Sequence, residues 1–330
     1  MPPGDAPSDV TIGRGPSGVH AARYVRRMRI VSLLPSATEI LFDLGLGASV
    51  VAVTDECNYP PEASSLPIVS RCVLADESLS PAEIDARVAD VERSGEALYR
   101  IDPAMLDELR PDVIVTQDLC PVCALPASQA EQALHDARCS AHVVSLDPHS
   151  IDDVLRTIVD LGDQLGAADR ARELVASLQA RVDVIRGRTA ALERVRVLAL
   201  EWGDPPWGAG HWVPEMIELA GGTPLLGEHG KDSRRLTWED IAAAAPEVVA
   251  FMPCSFGLDD AVDQGRELFG RDEFAATPAA RNGRVFATDA ESYFSRSGPR
   301  IVDGLEVLAS IVHPDVFGDP PPAAARPITA

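Results

Sequence analysis

The sequence predicts an α/β protein in which two lobes, each built on a parallel sheet, are joined by a long helical strut. In residues 151–188, apolar side chains recur at helical spacing and charged side chains fill the intervening positions. Short apolar segments alternate with helix-like segments on both sides of this stretch, as expected for strands buried on both faces. Residues 106–115 and 241–250 also share a pattern, in which a proline and an acid separate a helix from an apolar strand. The second lobe is therefore expected to repeat the first.

The strut determines the expected organisation of the chain. Asp152 lies in its first turn and Arg188 in its last, which is the order that the helix dipole favours. Gly166 is expected to break it, with Asp169 in the first turn of a second, longer helix. The predicted segments are a disordered leader (1–28), a first lobe (29–150), the linking helix (151–188), a second lobe (189–314) and a loose tail (315–330).

The first lobe is expected to open with a buried strand that turns directly into a helix. Ser36 and Glu39 match a capping box for this helix, which should end at Leu44. Ser80 and the proline after it open another helix, because a capping residue precedes a proline at the first helical position. The predicted strands are 29–34, 49–54, 112–116 and 142–146, and the remaining helices are 105–109 and 128–137.

The second lobe is expected to follow the same alternation. Its predicted strands are 196–200, 248–252 and 284–288. Its predicted helices are 213–219, 237–243 and 301–312. Because these strands are apolar throughout, the sheet should be parallel and covered by helices on both faces.

The charge and hydropathy of the chain bear on its partners and its compartment. A net charge of −22 argues against nucleic acid, whose phosphates require a basic surface, and disfavours an anionic membrane surface. No apolar run reaches the length of a membrane span, so no membrane insertion is expected. Residues 1–28 carry no pattern of a secretory signal, and Met28 is an alternative start to Met1. The chain is therefore expected to be cytoplasmic, with its six cysteines as thiols or ligands.

Polar and aromatic side chains follow the predicted strands, where open parallel sheets bind their ligands. Four of the six cysteines belong to this group. The candidates in the first lobe are Pro35, Ser36, Glu56, Cys57, Tyr59, Asp118, Cys120 and Cys123. Those in the second lobe are Glu201, Trp202, His211, Trp212, Cys254, Tyr293, Arg296 and Arg300. If the two lobes face each other, both groups border one shared crevice.

The Cys120-Pro-Val-Cys123 motif allows three interpretations. A redox pair usually begins a helix, but here the helix start is expected later, near residue 128. A metal site would take Cys57, Cys254 or His211 as further ligands and would suit zinc or iron. The third interpretation is that these thiols are structural or incidental.

Other candidates also have two interpretations. Trp202 and Trp212 lie in a Pro- and Gly-rich loop, where aromatic rings favour a large flat ligand or else cap the core of the lobe. Glu201 is a possible general base, although no companion nucleophile stands in a recognisable motif. Arg296 and Arg300 either clamp an anionic group or pair with some of the many carboxylates.

Several segments together resemble a known family, the vitamin B12 and iron-siderophore substrate-binding proteins of ABC uptake systems. They are 30–39 (IVSLLPSATE), 44–47 (LGLG), 50–53 (VVAV), 109–114 (LRPDVI) and 219–222 (LAGG). The resemblance covers residues 29–314. It implies two Rossmann-like lobes joined by one long helix, with the ligand in the cleft between them.

Three functions follow from the residues and the resemblance together. The first is a non-catalytic, cytoplasmic protein that binds a metal complex in the cleft, with cobalamin or another corrinoid as the ligand, because a strongly acidic chain suits an anionic siderophore poorly. The second is a metal- or thiol-dependent enzyme that uses the cleft cysteines and His211. The third is an ABC-transporter component, against which the lack of an export signal and a lipid-attachment cysteine argues, so that a permease partner is doubtful.

Overall fold

A computed structural model of the protein describes residues 27–74, 79–94, 97–118 and 125–329. The predicted leader therefore lies almost entirely outside the described residues, as do Cys120 and Cys123. Within the described residues, the chain forms two sheets that are largely parallel, each covered by helices. The predicted α/β class with two sheet lobes and a helical linker is confirmed.

The first lobe contains a sheet with the strand order β4-β3-β2-β1-β5-β6. All neighbouring strands are parallel except β3 and β4. The central strands are almost wholly buried, which explains their continuous apolar sequence. The elements are β1 (Ile30–Ser32), α1 (Pro35–Asp43), β2 (Val50–Thr54), β3 (Ile68–Cys72), α2 (Pro81–Ser94), β4 (Tyr99–Ile101), α3 (Pro103–Leu109), β5 (Val113–Gln117), α4 (Ala127–Asp136) and β6 (His142–Leu146).

The linker consists of two helices, α5 (Ile151–Gln164) and α6 (Ala168–Thr189), and the break at Gly166 lies between them as predicted. The side chain of Ser150 caps α5 by accepting a hydrogen bond from the Asp153 amide at 3.0 Å. The two helices pack closely at their junction, since a Cβ on Gly162 would lie 2.4 Å from that of Ala171. A side chain at this position would therefore force the helices apart.

The direction of the two helices follows from their contacts with the lobes. The first amide of α5, at Ile151, donates to Glu215 of the second lobe at 2.8 Å. Near the junction, Arg170 Nε donates to the Asp43 carbonyl of the first lobe at 2.5 Å. Arg181, further along α6, forms an ion pair of 2.8 Å with Glu306 of the second lobe. The chain therefore reverses between α5 and α6, and α6 is the helix that contacts both lobes.

The second lobe contains a sheet with the order β10-β8-β7-β11-β12-β13, and β9 pairs with β7. Strands β7, β11 and β12 are parallel, whereas β8, β10 and β13 are antiparallel additions at the edges. The elements up to the second central strand are β7 (Val195–Gly203), β8 (Pro206–Gly208), α7 (Val213–Leu219), β9 (Gly222–Pro224), β10 (Arg234–Arg235), α8 (Trp238–Ala244) and β11 (Val248–Phe251). Those after it are α9 (Leu258–Glu267), α10 (Asp272–Ala275), α11 (Pro278–Arg281), β12 (Val285–Thr288), α12 (Ala290–Tyr293), α13 (Ile301–Val312), α14 (Pro314–Phe317) and β13 (Ala325–Pro327).

Two local predictions differ from the structure. Residues 315–330 are not a loose tail in their described part, because β13 pairs with β12 and Ile328 is buried in the core of the lobe. Ser36 and Glu39 do not form a capping box, because α1 starts at Pro35 and has no side-chain cap. Glu39 instead faces the other lobe, where it meets two arginines.

Candidate functional site between the two lobes

A small cavity of about 80 Å³ lies between the lobes, where the carboxyl ends of both sheets meet. Its walls come from the loops after β1, β2, β5 and β11 and from the segment after α12. The lining residues are Leu34, Pro35, Ser36, Glu56, Gln117, Cys254, Ser255, Glu291, Ser295, Arg296 and Ser297. Five residues predicted from the strand ends thus share one cavity: Pro35, Ser36, Glu56, Cys254 and Arg296.

Arg296 is the central link between the lobes at this cavity, although only 7% of its surface is exposed. Its Nη1 lies 3.2 Å from Glu39 Oε1 and donates to Asn58 Oδ1 at 2.9 Å, both in the first lobe. Its Nη2 donates to the Glu56 carbonyl at 3.0 Å and to Glu291 Oε1 at 2.9 Å. A buried guanidinium with this many acceptors is well satisfied, so it holds the lobes together.

Arg300 makes the second link, to the same carboxylate. Its Nε and Nη2 donate to Glu39 at 2.9 and 2.6 Å, a bidentate pair. The guanidinium also lies over the Tyr59 ring, 4.0 Å from its centre, and 5.9 Å from the centre of the Tyr293 ring. We call the ion-paired cluster of Glu39, Arg296 and Arg300 the inter-lobe latch. Of the two sequence interpretations of these arginines, pairing with carboxylates is the one seen here.

Glu56 stands at the cavity wall and is only weakly acidic. Burial and the neighbouring Asp55 raise its pKa to about 7. The hydroxyl of Tyr99 donates to its Oε1 at 3.2 Å and, together with Arg296, opposes this rise. The carboxyl group is therefore divided between its neutral and charged forms near neutral pH.

Glu201, at the carboxyl end of β7, has an even higher pKa. Burial and then the neighbouring Cys254 raise the pKa to about 8, although hydrogen bonds from Ser233 and the Gly210 backbone oppose the rise. A carboxyl group that is neutral at pH 7 can both donate and accept a hydrogen bond. The Cys254 amide also donates to the Glu201 carbonyl at 3.1 Å, which fixes the cavity-lining cysteine beside this acid.

The tryptophans of the second lobe divide into two groups. Trp202 lies 5.7 Å from Phe256 between ring centres, and its Nε1 donates to the Pro81 carbonyl of the first lobe at 3.2 Å. Trp212 is 6% exposed and packs in the core, where its Nε1 donates to the Phe294 carbonyl at 3.0 Å. Trp212 thus caps the core of the lobe and does not line the cavity.

The predicted metal ligands are not assembled in the described part of the chain. Cys57 is buried against Thr38, 3.0 Å from its hydroxyl, and does not reach the cavity. His211 adopts a left-handed backbone (φ 52°), burial lowers its pKa, and its ring lies 5.8 Å from Trp212. Among the described residues, no group of three or more His, Cys, Asp or Glu side chains is arranged to hold a metal ion. Cys120 and Cys123 lie outside the described residues, so a metal site that includes them is not tested by the structure. The hypothesis of an enzyme that uses these cysteines stays untested for the same reason.

The remaining candidates lie away from the cavity. Asp118 is exposed and accepts hydrogen bonds from the Ala127 amide at 2.9 Å and from Ser145 Oγ at 2.6 Å. It therefore fastens the start of α4 to β6. Tyr59 is 41% exposed beside Arg300. Burial raises the pKa of Tyr293, whose ring centre lies 5.9 Å from the same guanidinium.

Cys57 is expected to be inert in the native protein. Burial raises its pKa from 9.0 to about 11, which lowers the thiolate fraction about 100-fold. Iodoacetamide labelling followed by peptide mass spectrometry should therefore modify Cys57 only after unfolding in urea. Cys254, which lines the cavity, serves as the reference and should react first. Equal labelling rates for these two thiols in the native protein would contradict the buried position of Cys57.

Comparison with known proteins identifies the family. The model of the periplasmic binding protein family matches residues 30–292. The chain belongs to this family. The predicted resemblance is confirmed at this level, together with the arrangement of two lobes and a helical linker that solved members share.

Three relatives illustrate the range of the family. An uncharacterized ABC transporter substrate-binding lipoprotein, YvrC of Bacillus subtilis, is 26% identical over 318 residues, which cover 94% of this chain and 84% of the relative. The vitamin B12-binding protein of Vibrio cholerae is 23% identical over 286 residues, 86% of this chain and 88% of that protein. The apo structure of the periplasmic heme-binding protein RhuT from Roseiflexus sp. RS-1 has a TM-score of 0.62 at 25% identity, covering 88% of this chain and 99% of the other.

The comparisons correct one prediction. The expected cytoplasmic location is wrong, because members of this family are periplasmic binding proteins and the relative from Bacillus subtilis is a lipoprotein. Helices within the described ranges all lack either the length or the apolar composition needed to cross a bilayer.

Proposed function

We propose that the protein is the substrate-binding component of an ABC uptake system and that it binds a large planar metal complex between its lobes, with a corrinoid such as cobalamin as the ligand. The main observation that supports this proposal is the crevice, where residues at the strand ends of both sheets line one cavity. Relatives named for vitamin B12 binding and for ABC substrate binding cover most of this chain and support the same function. A permease partner follows from that function, in place of the doubt that the sequence alone raised.

The choice of a corrinoid rests on charge and shape. A net charge of −22 repels an anionic ferric siderophore, whereas a corrinoid is nearly neutral. Trp202 lies at the contact between the lobes, and its indole supplies the kind of flat apolar face on which a macrocycle can stack. Heme is the second candidate within the same class, because the relative from Roseiflexus is a heme-binding protein.

The structure represents a closed form of this site. The cavity of about 80 Å³ is far smaller than the roughly 300–1,000 Å³ of sites for drug-sized ligands. A macrocycle therefore enters only if the contacts around the cavity separate. The inter-lobe latch is the contact that borders the cavity directly, since Arg296 is one of its lining residues.

A titration with cobalamin tests the proposal. Binding should change the visible spectrum of cobalamin and should stabilise the protein by roughly 2.7 kcal/mol at a ligand concentration of about 100 times Kd. The W202F variant should bind about tenfold more weakly, because it loses part of the ring face and the indole N–H. W238F is the matched control, since Trp238 packs against Phe274 within the second lobe, with 6.2 Å between the two ring centres.

Hemin is the second probe in the same experiment. If the protein binds hemin but not cobalamin, the corrinoid is the wrong ligand, although the proposed ligand class of planar metal complexes is still supported. No spectral change and no stabilisation with either compound at roughly 100 μM would overturn the proposed ligand class. Equal losses of affinity in W202F and W238F would overturn the assignment of the ligand to the crevice.

A further inference from the structure

Helix α2 is only loosely packed on its own lobe. None of its residues with described burial is fully buried, and Val88 and Val91 reach the core of the lobe only as partly buried side chains. By contrast, ten residues of α13 are buried. Most of the hydrophobic stabilisation that usually fixes a surface helix is therefore missing in α2.

A cavity of about 810 Å³ lies beneath α2, between the helix and the edge of the first sheet. Arg87, Asp90 and Val91 line it from the helix, and residues of β3 and β4 such as Arg71 and Ile101 line it from the sheet. A helix above so large a space has room to move relative to the sheet, because its described apolar side chains are only partly buried against the core.

The polar contacts of α2 that bridge the lobes are made at its N-terminal end. The Pro81 carbonyl accepts from Trp202 Nε1 at 3.2 Å. One oxygen of Asp85 accepts from Trp207 Nε1 at 3.0 Å, and the other pairs with Arg235 Nη2 at 2.5 Å. The Asp85 side chain is only 16% exposed, so these contacts are largely shielded from water.

These contacts lie beside the crevice. Trp202 lies near the carboxyl end of β7 and packs on Phe256, the neighbour of the cavity-lining Ser255. The guanidinium of Arg235 also lies over the Trp207 ring, 5.5 Å from its centre, so one cation orders both the indole and the acid. Helix α2 therefore spans the gap between the lobes on this side and covers the indole edges.

We propose that α2 is a lid on the crevice and that Asp85 holds it closed by binding Trp207 and Arg235. The role of the lid in ligand entry rests on the proposed function, whereas the closed contact itself does not. Loss of the Asp85 side chain should release α2 without separating the lobes, because the inter-lobe latch lies elsewhere and stays intact. Asp85 is thus a positioning residue for the lid.

Hydrogen exchange of the α2 amides in the ligand-free protein is the first test. D85A should raise exchange in α2 about tenfold or more, because it removes both hydrogen bonds that the Asp85 carboxylate accepts from the other lobe. Alanine is the better helix former, so a faster exchange cannot come from helix propensity. R235A, which removes one of these two hydrogen bonds from the opposite lobe, should also raise exchange, by a smaller factor. The matched control is D90A, because the ion pair seen for Asp90 among the described residues is with Arg93 of the same helix and the Asp90 side chain is 57% exposed.

Stopped-flow tryptophan fluorescence with cobalamin is the second test. Two of the four tryptophans, Trp202 and Trp207, donate hydrogen bonds to α2, so both lid opening and binding should change the signal. D85A should associate about tenfold faster than wild type, and D90A should match wild type. If cobalamin fails to bind but D85A and R235A both raise hydrogen exchange in α2, the proposed ligand is wrong, whereas the proposed lid is supported. If exchange is unchanged in D85A and R235A, or cobalamin enters D85A no faster than wild type, the lid is overturned.

Discussion

Replacing Arg296 with alanine is expected to lower the free energy of unfolding by about 3–5 kcal/mol, the largest effect of any single change considered. The guanidinium is almost fully buried, and its partner Glu39 is 1% exposed on its side chain. Without Arg296, Asn58 Oδ1 and the Glu56 carbonyl lose a donor, the Glu291 carboxylate keeps only its hydrogen bond from Asn58 among the described residues, and Glu39 keeps only the cation of Arg300. A buried acceptor that has lost its donor still carries the full cost of its removal from water. This cost is larger than the net stabilisation that the intact buried ion pair provides.

Urea unfolding of R296A and of a surface control measures this effect. R326A removes an ion pair with Asp259 in which the two side chains are 45% and 86% exposed, so it should cost less than about 1 kcal/mol. A loss in R296A no larger than that in R326A would show that the inter-lobe latch does not stabilise the closed form.

The stability of the wild-type protein is expected to fall as the pH rises from about 5 to 8, chiefly because of Glu201. Folding raises the pKa of this carboxyl from 4.5 to about 8, so the folded state binds the proton more tightly than the unfolded state. The stabilisation is complete below the unfolded pKa and is lost as the pH passes the folded one. The change is on the order of a few kcal/mol, and Glu56, with its pKa of about 7, adds to it with the same sign.

The E201Q variant isolates this contribution. Glutamine has the shape of the neutral acid and can still accept from Ser233, so the folded state should be retained. Its free energy of unfolding, measured in urea at pH 5, 6, 7 and 8, should fall much less than that of wild type. E62Q, at an exposed acid, should follow the wild-type curve. If the free energy of unfolding of E201Q falls with pH as steeply as that of wild type, Glu201 is ionised in the folded protein at each of these pH values and the prediction is wrong.

The central strands could be predicted because burial on both faces leaves a continuous apolar run. Strand β5 lies at Val113–Gln117 and β11 at Val248–Phe251, close to the predicted 112–116 and 248–252. The short strands added antiparallel at the sheet edges were not predicted, because they lack such an apolar run. Strand β13, for example, has three residues, two of them exposed, and it exists only because β12 offers it a pairing edge.

The convergence of strand ends on one crevice followed from topology, but the side chains that close the crevice did not. Glu39 stands three residues after Ser36, which matches a local capping signal, whereas its true partner Arg296 lies 257 residues away. Periodicity carries no information about such a distant pair. The sequence left Trp212 with two interpretations, because the glycines and prolines around it suggest a surface loop; in the structure α7 begins there and Trp212 packs in the core.

Helix α6, which contacts both lobes, limits how the molecule can deform. Helix α6 has 22 residues, and its only glycine is Gly187, near the end. At about 1.5 Å per residue it measures roughly 33 Å, and bending it would strain successive backbone hydrogen bonds. The spacing of the two sheets is therefore set by a stiff rod rather than by a flexible loop. Inserting or removing one whole turn in α6 would therefore change the distance between the two sheets by about 5.4 Å.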